Sequence, residues 1–98
     1  MTISYEEARE LVRQETAPGW SVGTYCLDDR EIVENDEMYT FRVGAREHLI
    51  EGNISYATPG GVPVVYKETG VLAWLASSEV GMDETLINRP NPEPTVEV

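Results

Sequence analysis

The stretch VPVVYKETGVLAWL, residues 62–75, consists of two apolar runs on either side of the polar segment Lys67–Gly70. Apolar runs rich in β-branched and aromatic residues favour strands, and a short glycine-containing loop between two such runs is typical of a β-hairpin. Gly70 supplies the left-handed backbone conformation that closes the loop. Pro63 has no N–H to give to a ladder, so it belongs at a strand start or on a sheet edge. We therefore predict a hairpin over residues 62–75.

Two more strands are predicted upstream of this hairpin. Residues 20–27 (WSVGTYCL) and 37–43 (EMYTFRV) are rich in β-branched and aromatic side chains and partly alternate between apolar and polar. Such segments fit a half-buried sheet. Tyr39, Phe41 and Val43 fall on one face of the second segment, because successive residues of a strand point to opposite sides. We expect that face to lie in the core.

The N-terminal segment TISYEEARELVRQE predicts a helix whose start is written in the sequence. Ser4 is a capping residue, and Glu7 completes a capping box that satisfies two backbone N–H groups. The apolar residues that recur at helical spacing are Tyr5, Ala8, Leu11 and Val12. They form one face, so we expect the helix to lie on an apolar surface. Pro18 and Gly19 end the helix.

Two weaker helical signals follow. Residues 44–53 (GAREHLIEGN) have partly helical spacing and end in a stop signal, which indicates a short helix or helical turn. The segment SSEVGMDETLI (77–87) indicates one weak turn capped by Ser77 or Ser78. Residues 54–61 read as a loop.

The order of these elements predicts an α+β fold. Helix, strand, strand, short helix, strand, strand favours an N-terminal helix packed on a four-stranded, mainly antiparallel sheet, with the helical turn between strands 2 and 3. Residues 1–87 would form this single domain. Residues 88–98 contain three prolines within five residues and little to bury, so we expect a flexible, acidic tail.

Charge is the most unusual property of the chain. It has 18 acidic and 7 basic residues and a formal net charge of −11. Nucleic acids and anionic membranes bind through Lys and Arg, so this composition disfavours both as partners. It favours solubility and attraction to a basic protein or a cation. The charged N-terminus does not resemble a signal peptide, and no apolar run approaches the roughly 20 residues needed to span a bilayer, so we expect a cytoplasmic protein.

The segment DDREIVENDE (28–37) concentrates six carboxylates, and we name them as candidate partner-binding residues: Asp28, Asp29, Glu31, Glu34, Asp36 and Glu37. The segment lacks the glycine and the aspartate spacing of a calcium loop. A run of solvated acids also lacks the desolvated carboxylate that acid–base catalysis requires. Two interpretations stay open: a solvated connection between strands, which is the usual role of a charge run, or a surface that holds a basic partner.

The sequence displays no catalytic constellation. His48 is the only histidine and Cys26 the only cysteine. A lone histidine next to charged neighbours fits a helix edge, and a cysteine within an apolar run is typically buried and inert. The segment TPGG (58–61) lacks the strand–loop–helix context and the lysine of a phosphate loop. We therefore predict a protein that is not an enzyme and uses no metal or cofactor.

Two segments carry a resemblance to a known family. AREHLIEG (45–52) and GGVPVVYKETG (60–70) resemble the YrhB-type family of small bacterial proteins, and SYEEARELV (4–12) also fits the opening of that family. The family is classed among the immunity proteins of polymorphic-toxin systems. Tyr66 stands where the family often has an acidic residue before the lysine of the turn. The resemblance implies a protein that binds and neutralises a cognate toxin, without implying which residues do so.

Other classes of function stay open beside this one. A toxin that acts on nucleic acid would be basic, which suits an acidic inhibitor. The alternative is a chaperone-like or peptide-binding module with no single cognate toxin, which would use an exposed sheet edge or apolar face. A small enzyme is the third class, and it requires a nucleophile–base or metal set that the sequence does not display. The oligomeric state is undecided, because an edge strand can pair two chains.

Overall fold

The computed structural model of the protein describes residues 2–58 and 60–98. The helical elements are α1 (Tyr5–Thr16), α2 (Arg46–Leu49), a 3₁₀ turn (Ile54–Tyr56) and α3 (Ser77–Gly81). The strands are β1 (Tyr25–Leu27), β2 (Glu31–Glu34), β3 (Met38–Thr40), β4 (Val43–Ala45), β5 (Val62–Tyr66), β6 (Leu72–Leu75) and β7 (Ile87–Pro90). The α+β class predicted from the sequence is confirmed.

The predicted single four-stranded sheet is wrong. The described residues form a five-stranded sheet in the order β6-β5-β3-β2-β7 and a separate two-stranded ribbon of β1 and β4, and every pairing is antiparallel. The segment predicted as one strand, 37–43, divides between β3 and β4, so that each part joins a different sheet. Ile32 and Val33 give the acidic run enough strand character to form β2, and Asn35 caps the turn into β3 by accepting from the N–H groups of Glu37 and Met38.

Helix α1 begins as the sequence predicts. The Ser4 hydroxyl accepts from the Glu7 N–H at 3.1 Å, and the Glu7 carboxylate accepts from the Ser4 N–H at 3.3 Å, which completes the capping box. Of the predicted apolar face, Tyr5, Ala8 and Val12 are buried, whereas Leu11 stays 38% exposed.

The core lies between α1 and one face of the large sheet. The Tyr5 ring stacks on Phe41 at 5.3 Å between centroids and meets Tyr39 edge to face at 5.6 Å. Ile32 and Val65 complete the sheet side of this cluster. Of the face predicted for Tyr39, Phe41 and Val43, the two aromatic residues are buried in the core, whereas Val43 belongs to β4 and is only partly buried against it. These contacts fix α1 across β2, β3 and β5.

The predicted hairpin forms between β5 and β6. The Tyr66 N–H donates to the Val71 carbonyl at 3.0 Å, and Gly70 has a φ of 70°, the left-handed conformation that favours glycine. Pro63 is the second residue of β5 and faces Trp74 in the register. Thus the local turn chemistry decides this part of the fold.

The short helical turn predicted after the second strand is present as α2, which is followed by the 3₁₀ turn inside the segment predicted as loop. Pro59, within the TPGG segment assigned to a turn, lies outside the described residues. A helix also forms at the second weak signal, α3, but its N-cap is Ala76 with no side-chain cap bond, so the predicted cap by Ser77 or Ser78 is wrong.

The C-terminal residues lie against the domain. The sequence instead predicts that residues 88–98 form a separate flexible tail. Ile87–Pro90 form β7 and pair with β2, so the structure draws no boundary at residue 88. Beyond the strand, the Asn91 N–H donates to the Arg30 carbonyl at 3.0 Å. The pairing is invisible to sequence reasoning because β2 and β7 are far apart along the chain, and because prolines dominate the segment.

Candidate functional site

The acidic run is divided by the fold into an inward and an outward set of carboxylates. Asp29 is fully buried and anchors the C-terminal segment. Its carboxylate accepts from Arg9 Nη1 at 3.1 Å, from the Thr95 N–H at 2.9 Å and from the Val96 N–H at 3.0 Å. Burial opposes ionisation, but the hydrogen bonds from Thr95 and Val96, together with Arg9, outweigh it and lower the pKa of Asp29. This carboxylate holds the fold together and presents no surface to a partner.

Asp28 and Glu34 are also engaged within the chain. Arg30 grips the Asp28 carboxylate through Nε at 2.9 Å and Nη2 at 2.8 Å, and this hydrogen bonding lowers the pKa of Asp28. Glu34 accepts from Lys67 Nζ at 2.7 Å and from Arg89 at 2.9 Å. Partial burial opposes its ionisation, but these two bases outweigh it and lower the pKa of Glu34. The Glu34 pairs join β2 to the end of β5 and to β7, whereas the Asp28–Arg30 pair lies within the connection between β1 and β2.

The outward set consists of Glu31, Asp36 and Glu37, all of which are exposed. Asp36 and Glu37 lie in the turn between β2 and β3 and share an open cleft of about 750 Å³ with Glu68 and Val71 at the hairpin end of the sheet. Glu31 begins β2 and lines a different cleft. The six carboxylates named from the sequence therefore do not form one patch.

The surface is left acidic because most of the bases pair with half-buried or buried carboxylates of the chain itself. All but five of the acidic residues are exposed, the five being Asp28, Asp29, Glu34, Glu47 and Asp83. Of the 7 bases, all except Arg46 lie within 4.0 Å of a carboxylate. Arg46 donates to the carbonyl of Glu97 instead. Among the described residues, only one exposed carboxylate, that of Glu10, is in an ion pair.

A cleft between the two tryptophans is the feature that sequence reasoning missed. It has a volume of about 430 Å³, and its wall includes Glu15, Pro18, Trp20, Val22, Val43 and Trp74. We call it the tryptophan cleft. Trp20 is fixed there, since its Nε1–H donates to the Val22 carbonyl at 2.6 Å and its ring meets Tyr25 edge to face at 5.6 Å. Trp74 is 53% exposed.

The available signal for this cleft was weak. Both tryptophans belong to segments that read as strands, and strand aromatics are usually core residues. The sequence does require some aromatics to reach the surface, because one helix cannot cover both faces of a sheet. Which ones do so depends on β6 being the outer strand, and that order is a property of the whole fold.

The single cysteine and the single histidine of the chain are Cys26 and His48. Cys26 is buried in β1, and burial raises the pKa of its thiol, which keeps it in the unreactive protonated form. His48 is half-buried on α2. Across residues 2–58 and 60–98, no three His, Cys, Asp or Glu side chains come together as a possible metal site.

Comparison with protein-family models, with curated proteins and with solved structures finds no match for this chain. In the part of the chain that the structure describes, no helix is long and apolar enough to cross a membrane. The fold and the surface thus define a small acidic α+β protein.

Proposed function

We propose that this chain is a non-catalytic binding protein that holds and neutralises a basic protein partner, as the immunity protein of a bacterial toxin pair would do in the cytoplasm. The observation that carries the proposal is the division of charge: six of the seven bases pair with carboxylates of the chain itself, whereas among the described residues the exposed carboxylates other than Glu10 are in no ion pair. A net charge of −11 is therefore presented almost entirely to the solvent.

Such a surface suits a partner whose own function requires positive charge. Clustered unpaired charge steers a partner of opposite sign into an encounter and raises the association rate. Proteins that act on nucleic acid carry Lys and Arg at the phosphate-binding surface. An acidic protein that covers that surface competes with the phosphates for the same side chains. The proposed toxin is accordingly a basic protein, and inhibition is by occlusion.

Three of the six carboxylates named from the sequence suit this role, and three have structural roles. Asp36 and Glu37 are exposed, unpaired and adjacent in one turn, with Glu68 lining the same cleft. We propose that the carboxylates of that turn attract the basic partner most strongly and that Glu31 attracts it more weakly. Asp28, Asp29 and Glu34 bind groups of the chain itself, so neutralising any of them would perturb the fold first.

The test is co-expression of the chain with the product of the gene beside its own. We expect growth inhibition by the neighbouring product alone, rescue when the two are expressed together, and a one-to-one complex that weakens as salt increases. Screening shortens the reach of surface charges from about 10 Å at 0.1 M salt to about 3 Å at 1 M. A neighbouring product that is harmless and forms no complex with the chain would refute the immunity function.

A matched pair of variants locates the attraction. Asp36→Asn with Glu37→Gln should slow association with the co-purified partner about three- to tenfold at low salt and flatten its salt dependence. Glu51→Gln with Glu93→Gln removes the same charge from exposed residues elsewhere and should have a smaller effect. Equal effects from the two pairs would show that only the total charge matters, and would remove the turn from the proposed site.

A peptide-binding module without a single toxin partner is the second candidate, and the tryptophan cleft is the observation that favours it. Such a module would bind many extended clients weakly. The two candidates separate in the same co-purification. One basic protein held in a salt-sensitive complex supports the first, whereas a spread of unfolded clients supports the second.

A further inference from the structure

The outer side of β6 is an unpartnered sheet edge, which we call the β6 edge (Leu72–Leu75). Among the residues that the structure describes, strand β6 is outermost in the sheet and pairs only with β5. Along two paired antiparallel strands, residue pairs that share backbone hydrogen bonds alternate with pairs that share none. Tyr66 bonds to Val71 at the hairpin, so Leu72 and Trp74 form non-bonded pairs and direct their N–H and C=O groups outward.

Pro63 confirms this alternation independently. It faces Trp74 in the register, and it has no N–H to offer. Its carbonyl accepts from the Phe41 N–H at 2.9 Å on the opposite side of β5. Trp74 therefore has no backbone partner in β5, and its N–H and C=O point away from β5, toward the side on which another strand adds.

The two edges of the sheet differ in how they are protected. Edge strands of soluble proteins usually carry prolines or charges that prevent another strand from adding. Strand β7 ends at Pro90, and two further prolines follow it. The segment VLAWL (71–75) at the other edge has neither a proline nor a charge. Val71 and Trp74 are 54% and 53% exposed, so this edge is open to an incoming chain.

The surroundings of the β6 edge select for positive charge. Asp36, Glu37 and Glu68 share a cleft with Val71 at one end, where the one base in the lining, Lys67, is paired with Glu34 at 2.7 Å, and Glu15 lines the tryptophan cleft at the other end. A guanidinium or ammonium group placed on an indole face gains a cation–π interaction, and a nearby carboxylate adds to it. The edge thus offers backbone bonds along its length and carboxylates at both ends.

We propose that an extended segment of a basic partner adds to the β6 edge as a sixth strand and inserts an Arg or Lys side chain into the tryptophan cleft. This inference rests on the proposed function in taking the partner to be basic. A second copy of the chain fits the edge poorly. Antiparallel pairing of two β6 edges would bring the acids at the end of one copy against the acids at the opposite end of the other, with −11 on each.

The test uses a synthetic probe, so it does not depend on identifying the toxin. An acetylated octapeptide of alternating Arg and Val is titrated into the ¹⁵N-labelled chain, beside a twin peptide of equal charge whose backbone amides are N-methylated. The first peptide should slow hydrogen exchange at the Leu72 and Trp74 amides and shift both indole N–H signals. The N-methylated twin cannot form the ladder and should leave both amides unprotected.

Two variants provide the matched control. Trp74→Lys puts a like charge at the edge and removes an indole, and should weaken binding of the first peptide about tenfold or more. Ile87→Lys makes the same kind of change on the other edge strand, at a residue that is 67% exposed, and should change binding less than about twofold. Both side chains are exposed, so both variants should keep the wild-type circular dichroism.

The outcomes separate this inference from the proposed function. Equal binding of the N-methylated twin, or equal effects of the two variants, would overturn the β6 edge as the docking site. A toxin complex that forms normally with Trp74→Lys would do the same, while leaving the immunity function in place. Protection of Leu72 and Trp74 by the peptide, together with no toxin at the neighbouring gene, would retain the edge and reject the immunity function.

Discussion

Asp29 belongs to an acidic run that the sequence suggests is solvated, yet its side chain is fully buried and its carboxylate accepts several hydrogen bonds. Four donors from α1 and the C-terminal segment satisfy its carboxylate: the Arg9 guanidinium, the Thr95 hydroxyl, and the Thr95 and Val96 N–H groups. An asparagine has the same shape but cannot accept from all of these donors. We expect Asp29→Asn to lower the free energy of unfolding by about 2 kcal/mol, because buried donors are left unsatisfied.

Urea denaturation measures this loss, with Asp36→Asn as the control. Asp36 belongs to the same acidic run but is exposed, so its substitution should change the free energy of unfolding by less than about 0.5 kcal/mol. If the two substitutions lower the free energy of unfolding by similar amounts, Asp29 does not have the structural role assigned to it. The whole acidic run would then be a solvated connection between strands.

Acid pH should remove the same stabilisation. The pKa of Asp29 is lowered in the folded protein. A carboxylate of this kind contributes stability that is fully present above its unfolded-state pKa of about 3.9 and is lost as the pH falls through its folded-state pKa. The difference in unfolding free energy between wild type and Asp29→Asn should therefore be constant from pH 7 to about 5 and shrink below pH 4.

The difference between the two proteins is the informative quantity here. Protonation of the many exposed carboxylates also relieves repulsion, and that effect is common to both. Urea denaturation at stepped pH values, run on both proteins, cancels it. A difference that stays constant down to pH 3 would show that the charge of Asp29 is not what binds the C-terminal segment.

At the scale of single elements, the sequence correctly predicts the features that depend on residues close together in the chain. The capping box of α1 and the glycine of the β5–β6 loop involve residues a few positions apart, and both are confirmed. The sequence does not reveal strand β2, because two of its four residues are glutamates and only the apolar pair Ile32-Val33 favours a strand there. Glu34 is tolerated in β2 because Lys67 and Arg89 neutralise it.

The hairpin loop offers a clean test of this local control. Gly70 has a φ of 70°, and a Cβ there would make only ordinary contact with Ile3, so the cost of Gly70→Ala is conformational. We expect a loss of about 1 kcal/mol in the free energy of unfolding. The matched substitution Gly81→Ala lies in α3 with nothing within 4 Å and should be neutral or stabilising. Thermal unfolding of the two variants compares them, and an equal cost would refute the turn argument.

The C-terminal segment is the element for which sequence and structure differ most. The Thr95 and Val96 amides reach Asp29 across more than 60 residues of chain, and no local pattern encodes that contact. If the contact is as the structure has it, deleting residues 95–98 and substituting Asp29→Asn both disrupt the bonds between the Asp29 carboxylate and Thr95 and Val96. The combined variant should then cost clearly less than the sum of the two, because interacting sites are not additive.

Unfolding free energies of the four proteins in this cycle provide the measurement. Strict additivity, together with a deletion that costs nothing, would support the flexible tail expected from composition. Hydrogen exchange at the Val96 amide in the wild type gives a second reading. Protection there that disappears in Asp29→Asn would tie the segment to this carboxylate.

At the scale of the whole molecule, the sequence gives the net charge but does not show how that charge is distributed over the surface. Composition gives −11, and that favours a basic partner. Only the fold shows that the bases are consumed in pairs such as Arg9–Asp29 and Lys67–Glu34, so that the surface is more uniformly negative than the sequence alone indicates. The tryptophan cleft is likewise a product of strand order, since it exists only because β6 is outermost.

The same charge governs whether the β6 edge pairs with a second copy. Each chain carries −11, and this repulsion opposes the contact at low ionic strength. Salt at 1 M shortens the Debye length to about 3 Å and strengthens apolar association, so the opposition should fall. We expect sedimentation velocity to show a monomer at low salt and a growing dimer fraction near 1 M. Trp74→Lys should abolish that dimer, whereas Ile87→Lys should leave it. A dimer that is strongest at low salt, or that survives Trp74→Lys, would show that charge does not keep this edge free for a basic partner.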